Sequence, residues 1–395
     1  MSSFRSRIVP FLVASASSCA AYNRRVNACD VFVRGSGIVG ASLALALSRQ
    51  GLSVALRTDD TSAARGPDVR AYALNPASVA LLQSLKVWDA LPADARTPVH
   101  DMRIEGDSGG SQLEFSAWEQ RVGELAWIVD AAVLERELAS ALKFAPHVTL
   151  TRDDDVAASL VALCEGRDST SRAALGVAVE RHDYGHRAIA ARLTASRPHA
   201  HTARQWFRSP DVLALLPFDT PQPQSSYALV WSLPDDRAEA LLAMDDRAFE
   251  QSLLEATAGA AGTLTLASAR AAWPLMLARA RACAGPGWVL LGDAAHVVHP
   301  LAGQGLNLGL ADVATLARVI AEREPWRDVG DEKIGRRYSR ERRAPTWAMA
   351  QLTDGLLQLF AHPMPAVREL RNRGLTLVNH LPVVKRWLTA RALDS

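Results

Sequence analysis

Three glycines, Gly35, Gly37 and Gly40, fall at GxGxxG spacing, with Ile38 and Val39 inside the motif, directly after the apolar run Asp30-Val-Phe-Val-Arg34. A strand that feeds such a turn and then a helix can bind a dinucleotide. The first glycine permits the tight turn, the second lets a pyrophosphate approach the backbone, and the third lets helix pack on strand. Amides and the positive helix end then face the phosphates. Helix formers from Ala41 to Gln50 follow, Gly51 closes the helix as a left-handed cap, and Leu52 to Arg57 supplies the second strand of a βαβ unit. An acid about 20 residues further on normally accepts the ribose hydroxyls. Arg57 and Thr58 occupy that neighbourhood here, with Asp59 and Asp60 beyond. Arg57 leaves a 2′-phosphate of NADP open as an alternative ligand.

The second chemical segment is Gly292-Asp-Ala-Ala-His-Val-Val-His-Pro-Leu-Ala-Gly-Gln-Gly-Leu-Asn-Leu-Gly309. It places an acid after the buried strand Trp288-Val-Leu-Leu-Gly292, then a glycine-rich turn leading into a helix over Leu306 to Ile320. Such a turn offers amides and a positive helix terminus to a group that becomes anionic. The N1–C2=O edge of a reduced flavin is such a group, and Asp293 suits the hydroxyls of its ribityl chain. Asp293, His296 and His299 are spaced by three, which invites a metal reading; a metal leaves the glycine-rich continuation unexplained, so orienting or packing roles beside a flavin fit the histidines better.

Other elements must position these segments. Asn75 and Pro76 are the N-cap and first residue of a helix through Leu85, and Asp130 caps another in which Leu134, Leu138 and Leu142 share one face. From Val177 to Leu266, alternating stretches broken by Pro217, Pro221, Pro223 and Pro234 predict an antiparallel sheet. Buried α/β texture returns after Pro286-Gly287. The expected fold is α/β: a Rossmann-like nucleotide-binding domain over 30–98, 125–176 and 285–335, interrupted by an antiparallel β-sheet substrate domain over 99–124 and 177–284. A C-terminal helical region covers 336–395.

With these motifs the sequence resembles the ubiquinone-biosynthesis flavin hydroxylases, which share the fold of p-hydroxybenzoate hydroxylase. The resemblance runs from about Asp30 to the C-terminus. It includes Arg70-Ala-Tyr-Ala-Leu-Asn-Pro-Ala-Ser78, Trp127-Ile-Val-Asp130, Ala214-Leu-Leu-Pro217, Val230-Trp-Ser232 and above all Gly292 to Gly309. It implies FAD as cofactor, with Gly35, Ile38, Val39 and their glycine neighbours around the diphosphate, Thr58 at the ribose end and Asp293 on the ribityl chain. Pro300, Gly303, Gln304, Gly305, Leu306 and Asn307 would line the isoalloxazine, and Arg70 and Arg136 would be side-chain contacts. Glu165 stands where the family has an Asp-Gly acid serving both flavin and nicotinamide diphosphates, and the stretch between Val148 and Glu165 is shorter than usual. The resemblance further implies reduction by NADPH or NADH, a flavin C4a-hydroperoxide, and transfer of one oxygen atom of O2 to a lipophilic phenolic ring. The cofactor carries that chemistry, so no catalytic base is nominated. No Trp-x-Trp-x-Ile-Pro halogenase signature occurs. A scaffold that merely retains FAD is the non-enzymatic alternative.

The whole chain sets the remaining bounds. Its 395 residues, 49% hydrophobic, can bury a large core, and a formal charge of +2 gives no field of the kind nucleic acid demands. Cys19, Cys29, Cys164 and Cys283 form no CxxC pair, and no apolar run approaches the roughly 18 residues of a membrane span. Residues 1–29, with four arginines and no acid, read as a leader or an over-long start, and the expected location is the cytoplasm. From Pro325 onward 13 Lys/Arg face 7 Asp/Glu. With Leu352, Leu356 and Leu359 on one helical face, and Leu375 to Trp387 beyond, this basic end is of a kind that reaches an anionic inner-membrane surface. The competing reading makes these leucines core. A biosynthetic complex or a second copy of the chain remain open as partners.

Overall fold

The computed structural model describes residues 29–58, 68–106, 111–298 and 304–361, with the side chains at 350, 352–354 and 356–361 excepted. The leader to residue 28, Asp59, Asp60, His299, Pro300, Gly303 and the tail beyond 361 lie outside the described residues, as do the side chains of Leu352, Leu356 and Leu359.

A six-stranded sheet forms one half of the molecule. Its order is Ala284–Gly285, Trp288–Leu290, Ala158–Leu163, Cys29–Arg34, Val54–Arg57 and Val148–Thr151, parallel except at the first edge. Parallel strands covered on both faces need continuous apolar runs, and Val31, Val33, Val54, Leu56, Ala162 and Val289 are all buried. The helix Ile38–Ser48 is apolar all round and packs against two others, Ala131–Leu142 and Gln304–Ala321. The expected caps are present: the Asn75 side chain accepts from Ser78 N, Asp130 accepts from Val133 N, and Gly51 has φ +78°.

The other half is a nine-stranded sheet. The long strand Val179–Ala195 pairs antiparallel with Ser226–Pro234 and Ala271–Ala280, and the sheet extends through Asp211–Phe218 and Thr202–Arg208 to Asp101–Glu105 and Gln112–Ser116. It is antiparallel apart from the pairing of 202–208 with 101–105. Two helices absent from the sequence reading, Asp235–Ala243 and Asp246–Ala256, cover part of it around buried Phe249 and Leu253. Arg192 ties the halves together. From the large sheet its Nη2 donates to the Arg70 carbonyl (2.7 Å) and to Asp130 (3.1 Å), while the guanidinium lies 4.0 Å from the Phe218 ring centroid.

The segment after Trp288–Leu290 differs in detail from the expectation. Gly292–Ala294 is a short 3-10 turn, His296–Val297 adds to the large sheet, and the following helix begins at Gln304. Gln304 and Gly305, expected before the helix, therefore belong to it together with Leu306 and Asn307. Asn307 explains the early start: its Oδ1 accepts from Asn75 N (3.0 Å) and Ser78 Oγ (2.7 Å), and its Nδ2 donates to the Ala73 carbonyl (2.8 Å), pinning this turn to a neighbouring helix.

The absence of side chains at two glycines joins the two chemical segments. A Cβ on Gly309 would come within 2.7 Å of Val39 Cγ2, and one on Gly292 within 3.2 Å. Val39 is stiff at χ1 and has little room to yield. Gly309→Ala should cost about 1–3 kcal/mol by overpacking. Adding Val39→Ala should recover part of that loss in denaturant unfolding, whereas simple additivity of the two changes would contradict the contact.

Candidate nucleotide site

The first loop is shaped by what its glycines lack. Gly35 has φ +106°, and a Cβ there would lie 2.5 Å from the Cys164 carbonyl; one on Gly40 would lie 1.9 Å from the Gly35 carbonyl. A Cβ on Gly37 would meet no described atom within 4 Å, and no described side chain caps the helix that begins at Ile38. The turn is thus closed on its protein side and open on its solvent side, with uncapped first-turn amides at the opening.

Val39, in that first turn, sits between Gly292 and Gly309, so the two segments are in direct contact. The Gly292 turn is set by Asp312, a fully buried acid one helical face behind it. Its Oδ2 accepts from Gly292 N (2.9 Å) and pairs with His296 Nε2 (2.7 Å), while Oδ1 accepts from Arg342 Nε (2.6 Å). Burial opposes ionisation of Asp312 most strongly, yet His296, Arg342 and the Gly292 amide together outweigh it and hold the carboxyl below its usual value. Arg172, also buried, donates to the Ala294 carbonyl (2.8 Å) and to the Arg167 carbonyl (2.8 Å), bracing the turn from the other side.

Asp293 follows directly. It is accessible to solvent, yet the surrounding protein raises its pKa by desolvation, against the opposing charges of His296, Arg167 and Arg70. An accessible group that is nevertheless surrounded by protein lies on the wall of a cleft. Arg70 is held near it by both oxygens of Asp68 (2.6–3.0 Å), by the Tyr72 hydroxyl (3.0 Å) and by Glu135 (3.4 Å). Burial pushes the Tyr72 phenol up to about 12, so it stays protonated at neutral pH. At the mouth of the second helix the Gln304 Oε1 is shut from solvent and accepts no hydrogen bond.

Other residues singled out from the sequence have different surroundings. Glu165 accepts from Arg34 Nε (3.0 Å), Ser169 Oγ (2.5 Å), Ser171 N (3.2 Å) and Ser171 Oγ (2.7 Å). Burial alone would raise its pKa, but these donors keep it lowered and its lone pairs are spent within the protein. Arg136 is exposed and pairs with Glu137 (3.1 Å); Glu135 is the side chain of that helix that reaches Arg70. Thr58 N donates to the Thr151 carbonyl (2.9 Å) at the sheet end. The Asn307 amide is engaged through both its oxygen and its nitrogen. Only residues 152–157 join the strands ending at Thr151 and beginning at Ala158, so no β-meander intervenes. Asp312 and Arg342 stand outside the motifs that the sequence displays. A lone acid among Leu308, Leu310, Val313 and Leu316 was the available signal.

The FAD binding domain family matches residues 28–139 and 143–353. The chain belongs to that family. It is 30% identical to ubiquinone hydroxylase UbiL of Rhodospirillum rubrum, over 93% of this chain and 90% of the relative, and 29% identical to 3-demethoxyubiquinol 3-hydroxylase of Escherichia coli, over 92% and 98%. The fold matches Klebsiella pneumoniae HpxO complexed with FAD and uric acid, with a TM-score of 0.71, 18% identity, and coverage of 93% of this chain and 97% of that one. FAD is the cofactor of this chain, and the local chemistry fits it: an open glycine turn, an accessible acid on a cleft wall, and a helix start with an unpartnered buried acceptor.

Asp312 has a measurable pH signature. Its folded pKa is depressed, so its contribution to stability is complete above the unfolded value near 4 and is lost as pH falls through the folded value. Asp312→Asn should cost about 3–5 kcal/mol at pH 7 by leaving Arg342 without its carboxylate. It should also flatten the acid limb of the stability profile below about pH 4; a parallel downward shift at all pH values would contradict the assignment.

Proposed function

We propose that this protein is an FAD-dependent hydroxylase of ubiquinone biosynthesis, acting on the ring of a lipophilic phenolic precursor with O2 and with NADPH or NADH as electron donor. The observation that carries the reading is the meeting of the glycine loop and the Gly292–Asp293 turn through Val39. FAD, when bound, would supply the redox chemistry, with two electrons from the nicotinamide and one oxygen atom of O2 for the ring, the other leaving as water.

The chain's residues bind, orient and exclude water. In this reading Gly35, Gly37 and Gly40 receive the diphosphate, with Ile38 and Val39 setting the helix start, while Asp293 accepts the ribityl hydroxyls. Arg70, fixed by Asp68 and Glu135, places a cation at the cleft, and the amides at 304–307 face the flavin edge that gains negative charge. Segments 30–98, 125–176 and 285–335 form the cofactor domain, and the large sheet is the floor for the ring. The names of the two relatives support a quinone precursor as substrate.

A lipophilic substrate calls for access to a bilayer. No described helix is long and apolar enough to cross a membrane. On the helix Glu332–Ala361, however, Lys333, Arg336, Arg340, Arg343 and Trp347 are exposed at alternating three- and four-residue spacing, one stripe with an aromatic at its end. We assign this stripe to peripheral contact with anionic lipid.

Asp293→Ala should lose most of its FAD during purification, whereas full retention of the yellow colour would overturn the site. Wild-type flavin should bleach on anaerobic addition of NADPH or NADH with a phenolic quinone precursor, then form hydroxylated product when oxygen is admitted; a flavin that stays oxidised would favour a scaffold role. Co-sedimentation with phosphatidylglycerol vesicles should fall at least about tenfold in Arg340→Glu/Arg343→Glu. Equal sedimentation of variant and wild type would contradict the lipid contact.

A further inference from the structure

The nucleotide site lacks one usual residue. A Rossmann-type site holds the adenosine ribose through a carboxylate at the end of the second strand, but Val54–Arg57 ends in a cation followed by Thr58. Arg34 and Arg57 are register partners, as are Arg57 and Thr151, so three neighbouring parallel strands end level with one another. Past Thr151 the chain turns back across these ends. Arg34 Nη1 donates to the Asp154 carbonyl (2.8 Å), and Arg34 Nη2 donates to Asp154 Oδ1 (3.3 Å). Arg57 Nε lies 2.5 Å from that same Oδ1.

Asp154 therefore sits over the carboxyl edge of the sheet, where open α/β sheets bind their ligands, and Gly35 of the phosphate loop directly follows its partner Arg34. Both arginines approach Oδ1. The Asp154 side chain is 68% exposed, while those of Arg34 and Arg57 are only 20% and 22% exposed. The guanidiniums are the fixed parts of the cluster, and the carboxylate is the part presented outward.

We propose that Asp154 replaces the missing strand-end acid and accepts the hydroxyls of the adenosine ribose of FAD, with Arg34 and Arg57 as positioning residues. The assignment rests on the FAD reading above. It also gives Arg57 a carboxylate partner, which removes its attraction for a 2′-phosphate. The acceptor has moved from one strand to the loop after its neighbour, and the cation at the old position holds it there.

The test is titration of apo-protein with FAD, ADP and 2′,3′-dideoxy-ADP, the last lacking both ribose hydroxyls. Wild type should bind ADP about 10- to 100-fold more tightly than the dideoxy compound, the range of a charge-assisted hydrogen bond. Asp154→Ala should bind both equally, at the weaker level, and should lose the same factor for FAD. Asp154→Asn, which keeps the shape, should lose most of the preference with unchanged unfolding temperature. Asp153→Ala, Asp59→Ala and Asp60→Ala should behave as wild type. A preference retained in both Asp154 variants, or abolished in the Asp59 or Asp60 variant, would overturn the assignment. Wild type that binds no FAD would instead refute the cofactor reading itself.

Discussion

Val39 can stand between Gly292 and Gly309 only because neither glycine carries a side chain, and the geometry of the site follows from that contact. The glycine loop begins near residue 35 and the acidic turn near residue 292, so no local propensity brings them together. Strand order does: Cys29–Arg34 and Trp288–Leu290 both flank Ala158–Leu163. With the sheet assembled, the helix from Ile38 and the helix from Gln304 pack side by side, with Val39 against Gly309.

Around this contact the polar groups are held in small networks. Asp312 satisfies Gly292, His296 and Arg342; Asn307 satisfies Asn75, Ser78 and Ala73; Glu165 satisfies Arg34, Ser169 and Ser171. Buried polar groups are costly to leave unmatched, so these networks fix the loops in one arrangement. Gln304 Oε1 is buried without such a partner, and Asp293 stays accessible on the cleft wall.

The sequence revealed the parts governed by local rules. Gly51, Asn75, Pro76 and Asp130 sit where turn and capping chemistry puts them, and the strand before Gly35 shows as an apolar run. Two helices in the sheet region were misread for a local reason as well: Pro234 looked like a strand break, but it is an N-cap followed by Asp235 and Asp236, and Asp245 caps the next helix by accepting from Ala248 N. Long-range roles were not legible. Nothing near Glu165 announces that Arg34 will occupy it from another strand, nothing near Asp154 announces Arg57, and the mate of Asp312 is thirty residues away at Arg342. Such partners are set by strand order and helix packing, which spacing along the chain does not encode.

The most direct measurement of the central claim is a crystal structure of the FAD-loaded protein. A single FAD should run from the open side of Gly37 to Asp293, with a ribityl hydroxyl within about 3 Å of the Asp293 carboxylate and the flavin edge against the amides of Gln304 to Asn307. A flavin held by only one of the two segments, or one bound away from Asp293, would contradict the account.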